Sequence, residues 1–85
     1  MPQEPRPVEV HLFAAARAAA EGRSVLAVAP GTLGDVVAAA VLQAPGLAAV
    51  LPRCSILVDG VAGHDAGAPV SGGTRVDVLP PFAGG

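Results

Sequence analysis

The residues able to do chemistry are few, and their spacing does not assemble a catalytic set. His11 falls at an outward position of a predicted strand, and His64 stands beside Asp65 in a predicted loop. Ser24, Ser55 and Ser71 are scattered. A nucleophile, its base and an orienting carboxylate need mutual hydrogen-bond reach and a pocket, and nothing in the spacing predicts either. Two His without a Cys pair or an acid at ligand spacing do not make a zinc site, so no metal is expected. Cys54 follows Arg53, whose charge could lower a thiol pKa. The position reads instead as a small apolar residue entering a strand. Gly60, Gly63, Gly67, Gly72 and Gly73 show no Walker pattern, and with no Lys in the chain they read as turn positions. No active site of the chain's own is expected.

The tail is the informative stretch. A strand ends at Leu79, and Pro80-Pro81-Phe82-Ala83-Gly84-Gly85 follows. Six extended residues reach up to roughly 20 Å. Two prolines in a row favour a stiff, extended path that holds the tail off the body. Phe82, one of only two aromatic residues, falls outside the expected core and reads as a partner contact. Gly84 and Gly85 lack Cβ atoms, so they can thread a narrow channel and bring the terminal carboxylate against another protein's backbone. That carboxylate is ionised at neutral pH and is a poor acyl donor. It reacts once activated, for example as a mixed anhydride with AMP that a sulfur or nitrogen nucleophile displaces. The tail therefore reads as an activated carrier rather than a catalyst.

The body must present that tail, and composition bounds what it can be. The chain has 85 residues, enough for one domain, and 52% are apolar. Of the apolar residues 18 are Ala and 13 Val, with no Trp or Tyr, so stability must come from close backbone packing. Five dispersed Arg, no Lys and seven carboxylates leave no basic stripe, which argues against nucleic acid as a partner. One cysteine cannot form an internal disulfide, which fits a reducing compartment. The residues Met1 to Pro7 lack the basic and apolar regions of a signal peptide. The uncharged stretch Val36 to Pro52 is too short and too broken to span a bilayer. A cytoplasmic protein without a membrane partner is expected.

Hydropathy periods then place the elements. Val8, Val10 and Leu12 alternate with Glu9 and His11, predicting a strand, and an Ala-rich short helix follows from Ala14 to Glu21 and ends at Gly22. Ser24 to Ala29 predicts a second strand, apolar on both sides and expected to be covered on both or to lie against a neighbour. Pro30-Gly31 predicts a turn. Thr32 with Asp35 is close to a capping box, and Leu33, Val36, Val37, Ala40, Val41 and Ala44 form a helical stripe stopped by Pro45-Gly46. Leu47 to Pro52 reads as a turn or loosely helical connector. Ser55 to Val58 predicts a strand, Asp59-Gly60 a hairpin turn and Val61 to His64 a short strand. Asp65 to Gly73 reads as loop and Thr74 to Leu79 as the last strand. This order predicts an α+β roll: a mixed sheet of four to five strands, first and last strands central, one main helix across one face. The expected divisions are a lead at 1–7, a domain at 8–79 and a projecting tail at 80–85.

These motifs together resemble the MoaD/ThiS family of ubiquitin-like sulfur carriers, nearest to its molybdopterin-synthase small subunits. Phe13-Ala14-Ala15-Ala16-Arg17 is similar to the family's F-A-x-x-R opening, and Thr32-Leu33-Gly34-Asp35-Val36 to its helix start. Arg53 to Gly60 stands where the family has a strand and tight turn. Pro80-Pro81-Phe82-Ala83-Gly84-Gly85 is similar to its Pro-Pro-x-x-Gly-Gly ending, the most specific of the four. Thr74 departs from the family's usual Asp, and Phe82 from a smaller aliphatic residue. The resemblance implies a β-grasp fold. It implies adenylation of Gly85 by an E1-like adenylyltransferase using ATP, with no stably bound cofactor. A sulfurtransferase supplies sulfur for a thiocarboxylate on Gly85, which donates it to cyclic pyranopterin monophosphate in the large subunit of molybdopterin synthase, giving a hetero-oligomer. Pro80, Pro81, Phe82, Ala83 and Gly84 would line the docking interface, and Arg17 would be a partner contact. Carriers for thiamine thiazole, cysteine or a secondary metabolite, and a ubiquitin-like module carrying no sulfur, remain alternatives.

Overall fold

The computed structural model describes residues 6–81. The elements run β1 (Val8–Leu12), α1 (Ala15–Ala19), β2 (Val25–Val28), β3 (Gly31–Thr32), α2 (Leu33–Gln43), α3 (Leu47–Val50), a 3-10 turn (Leu51–Arg53), β4 (Ser55–Val58), β5 (Val61–Ala62), β6 (Pro69–Val70) and β7 (Arg75–Leu79). Five strands form a mixed sheet in the order β2-β1-β7-β4-β5, and β3 pairs with β6 in a separate two-stranded ribbon. The first and last strands pair in parallel near the middle, Val10 with Val76 and Leu12 with Val78. All other pairs in the main sheet are antiparallel.

The helix layer begins at Thr32. Its hydroxyl accepts from the Asp35 backbone N–H at 3.1 Å, and the Asp35 carboxylate accepts from the Thr32 N–H at 3.1 Å. This reciprocal bonding satisfies two donors at the helix start and fixes its first residue. From there the stripe runs inward: Leu33, Val36, Ala40 and Ala44 are buried, with Val37 and Val41 packed at the margin. The stripe meets Val8, Val10, Leu12, Leu26, Val28, Val76 and Val78 from one face of the sheet. The stripe is thereby consumed by the chain's own core. At the far end of α2, Arg23 donates to the Gln43 carbonyl at 2.7 Å and Gln43 donates to the Ala27 carbonyl at 2.6 Å, tying the helix to both ends of β2.

Small residues set how closely the short elements approach. Ala16 and Ala20 are fully buried under α3, and Gly46 lies so near α1 that a Cβ there would stand 2.5 Å from the Ala19 carbonyl oxygen. Each close contact of this kind recovers dispersion that a core poor in large side chains would otherwise lack.

The structure settles two open expectations and corrects two others. Of the two alternatives for β2 the second holds: it is an edge strand lying against β1, and Val25 and Ala27 are exposed on its outer face. Its small side chains allow that exposure at little cost. Pro30-Gly31 is not only a turn, and Asp65 to Gly73 is not all loop, because Gly31 pairs with Val70 and Thr32 with Pro69. The Leu47 to Pro52 connector takes the helical one of its two expected forms, one turn of α3 running into the 3-10 turn. The Asp59-Gly60 signal does produce a hairpin, with φ of 47° and 83° at those two residues, the left-handed pair that a two-residue hairpin turn requires.

Candidate functional site

β7 has a hydrogen-bonded neighbour on each side along its length. Its residues Arg75 to Val78 pair with Glu9 to Leu12 of β1, and Val76 to Leu79 pair with Val58 to Ser55 of β4. The chain therefore leaves the sheet from a fixed point, with Phe13 following on from β1 on one side and Cys54 preceding β4 on the other. Pro80 is half-buried and Pro81 exposed, so the transition from body to tail occurs within two residues. A proline lacks the N–H that would extend the ladder, which ends the sheet at Leu79. Phe82, Ala83, Gly84 and Gly85, the residues expected to carry and deliver the acyl group, lie outside the described residues.

The sheet's open face carries the outward set. His11 pairs with Asp77 across β1 and β7, and Asp77 with Leu57 across β7 and β4. His11 Nε2 stands 3.0 Å from Glu9 Oε1, and Arg75 donates through Nε to Asp77 at 2.7 Å. These four side chains are bonded in pairs on the open face, a surface arrangement rather than a reacting one. His11 is thus not isolated in solvent, and its partner is a neighbour on its own strand.

The other candidates are not brought together. His64 is exposed, while Asp65 is spent on its own loop, accepting from the Gly67 N–H at 2.9 Å. The apolar recess beside them, about 320 Å³, is lined by Leu33, Val58, Val61 and Val70 among others and lies at the end of the sheet away from the tail. Ser24, Ser55 and Ser71 are each exposed on different segments. Among the described residues no group of His, Cys, Asp and Glu could hold a metal ion. No helix among them is long and apolar enough to cross a membrane. Cys54 is half-buried, its Sγ 3.2 Å from the Val50 carbonyl oxygen, and burial raises its thiol pKa rather than Arg53 lowering it.

Arg17 is exposed on α1, the helix that begins just beyond the end of β1. Sequence spacing gave Arg53 no role beyond its neighbour Cys54, yet it is exposed at the end of the 3-10 turn, two residues before the Ser55 that pairs with Leu79. Only the strand register brings it to the tail, and no local pattern signals that register.

The ThiS family profile matches residues 10–85, a span that includes the four terminal residues. Among solved structures, small archaeal modifier protein 1 from Haloferax volcanii is 27% identical with a TM-score of 0.81, the match covering 92% of this chain and 98% of that one. The complex of subunits 1 and 2 of molybdopterin-converting factor from Helicobacter pylori matches at 23% identity and TM-score 0.70, covering 92% and 97%. The BexX/CysO complex of Amycolatopsis orientalis matches at 19% identity and TM-score 0.79, covering 92% and 99%. The last two likenesses concern the fold. No curated protein matches the chain. With its β-grasp sheet, its capped helix and a profile match that runs through the Gly-Gly end, the chain belongs to the ThiS family of ubiquitin-like sulfur carriers.

Proposed function

We propose that this protein is the sulfur-donating small subunit of a molybdopterin synthase, working in the cytoplasm. The observation that carries the reading is the Pro80-Pro81 break directly after a strand held on both sides, followed by Gly84-Gly85. In this reading the Gly85 carboxylate attacks the α-phosphorus of ATP in an E1-like adenylyltransferase, giving an acyl-adenylate and pyrophosphate. Hydrosulfide delivered by a sulfurtransferase then adds to the acyl carbon, and AMP and a proton leave. The product is a thiocarboxylate, a far better sulfur nucleophile than the carboxylate was an acyl donor. The tail next enters the large subunit, where the thiocarboxylate sulfur bonds to a side-chain carbon of cyclic pyranopterin monophosphate as a C–O bond at that carbon breaks, the oxygen staying on the opened phosphate or leaving with protons as water. Water cleaves the resulting thioester, leaving the sulfur on the pterin and the carboxylate on Gly85. Two such rounds supply the two sulfurs of the dithiolene. Pro80, Pro81, Phe82, Ala83 and Gly84 guide the tail in, Arg17 contacts the partner, and the chain itself binds no cofactor.

The test is reconstitution. Purified protein with ATP, an activating enzyme and a sulfur source should gain the mass of one sulfur in place of one oxygen on its C-terminal peptide. Added to a molybdopterin synthase large subunit and the pterin precursor, it should yield molybdopterin. Transfer to a thiazole synthase instead would assign it to the thiamine branch.

A second reading is favoured by one observation. The modifier protein of H. volcanii is 27% identical, against 23% for the H. pylori converting-factor complex. Under it, a nitrogen nucleophile on another protein takes the activated acyl group. Incubation with ATP, activating enzyme and cell extract would then produce larger species joined through Gly85.

A further inference from the structure

Most charged side chains have work within the fold, and both ends of the domain carry Arg, with Arg6 beside Gly73 and Arg75 beside Asp59 at the end away from the tail. At the end where α2 begins and β4 turns into β5 stand Asp35, Asp59 and Asp65, and each has work within the fold. Asp35 caps α2, Asp59 accepts from the Arg75 N–H at 2.9 Å, and Asp65 accepts from the Gly67 N–H. At the tail end stand Arg17, Arg23 and Arg53, with Glu21 the acid closest in sequence. Arg23 also has work, donating to the Ala20 and Gln43 carbonyls.

Arg17 and Arg53 have none. Both are exposed, and among the described residues neither makes an ion pair or a side-chain hydrogen bond. They come from opposite sides of β7. Arg17 is on α1, which follows the β1 strand whose Leu12 faces Val78; Arg53 precedes the β4 strand whose Ser55 faces Leu79. The packing of α1 on α3 holds the two segments together.

We propose that Arg17 and Arg53 form a cationic collar at the root of the tail, and that it docks on an acidic rim around the entrance of the protein that activates the tail. The inference rests on the tail being inserted into such a partner. An exposed cation that leaves no structural debt in the fold is free to be matched across an interface. Placed beside an inserting tail, a pair of them orients the approach so that the tail meets the entrance.

The test uses the full chain and the ATP-dependent activating enzyme of its own source. Association rates are measured by stopped flow across a salt series for wild type, Arg17→Glu, Arg53→Glu, the double variant, and the pair Arg17→Lys and Arg53→Lys. At low salt the double Glu variant should associate about tenfold more slowly or worse, with a flattened salt dependence, while the Lys pair keeps most of the rate. Thermal midpoints should not move, since both sites are exposed and unpaired. A double Glu variant as fast as wild type, or a wild-type rate indifferent to salt, overturns the collar. So does a faster double variant, which would mean a basic rim. In the same samples, mass spectrometry of the C-terminal peptide separates the two levels. A wild type that gains sulfur alongside unaffected variants defeats the collar alone, whereas a wild type that never gains sulfur defeats the carrier reading and the collar with it.

Discussion

Ser55 on β4 faces Leu79, the final residue of β7. This pairing closes the antiparallel ladder at the last position before Pro80, while Leu12 closes the parallel ladder opposite Val78. Among the described residues both ladders therefore end by Leu79. Stability and tail chemistry are separable on this account.

Removing Gly85 tests that separation. The thermal midpoint should stay within the error of the wild type, because the truncation lies beyond both ladders. Sulfur gain on the C-terminal peptide should vanish. A large drop in midpoint, measured by calorimetry on the truncated chain, would show the terminus to be part of the fold.

The capping box at the start of α2 gives a second expectation. Thr32→Ala removes the acceptor of the Asp35 N–H bond and leaves the Asp35 side chain with half its arrangement. The loss should be about 1 kcal/mol, within the usual range for N-cap removal. In a domain of this size that is a fall of about 4–8 °C in midpoint. Thr32→Ser, which keeps the oxygen, should recover most of it.

How much of this was legible in the sequence depends on the range of the interactions involved. α2 was legible because its cap and its stripe are both local: Thr32 and Asp35 lie within one turn, and Leu33, Val36, Val37, Ala40, Val41 and Ala44 repeat at helical period. The alternation in β1 and β7 was legible for the same reason. The β3-β6 ribbon was not, since each strand has two residues and one of them is Pro69, which no propensity assigns to a strand. The edge position of β2 was hidden because Val25 and Ala27 suit a covered face as well as a bare one. In the candidate site, the types and order of the tail residues were legible, whereas the approach of Arg53 to the tail was not. That approach exists only through the pairing of Ser55 with Leu79, a contact between residues far apart in the chain.

Gly46 carries the tight approach of α3 to α1. Gly46→Ala forces a methyl group against the Ala19 carbonyl oxygen, a backbone atom that cannot rotate away. The helices must separate, at a cost of about 1–3 kcal/mol. Urea unfolding should show a lower midpoint with an unchanged slope. Arg17 lies on α1 and Arg53 on the 3-10 turn that continues α3, so the variant should also slow activation where an equally destabilising change at Thr32 does not.

Two leucines on neighbouring helices should behave in opposite ways. Leu47 is fully buried, while Leu42 is 84% exposed on the outer side of α2. Leu47→Ala removes one of the four buried leucines of the core and should cost about 2–5 kcal/mol. Leu42→Ala leaves no cavity and should change stability by no more than about 0.5 kcal/mol. Denaturation of the two variants side by side checks that Leu47 faces the core and Leu42 faces away from it.

Cys54 supplies the pH-dependent expectation. Burial raises its thiol pKa above the ordinary value, so at a given pH the folded protein holds less thiolate than an unfolded chain. Alkylation by iodoacetamide should therefore be slower in the native protein than in urea, and its rate should rise only at higher pH than for a free thiol. The sign follows for stability as well. Because the folded state keeps its proton longer, the Cys54 contribution is present below the ordinary thiol pKa and is lost as pH rises through the folded value. Cys54→Ala should remove that alkaline decline while sparing sulfur transfer, since the sulfur of the carrier resides on Gly85. A variant that keeps the decline would place its origin in another group, and one that loses sulfur transfer would make the thiol a participant.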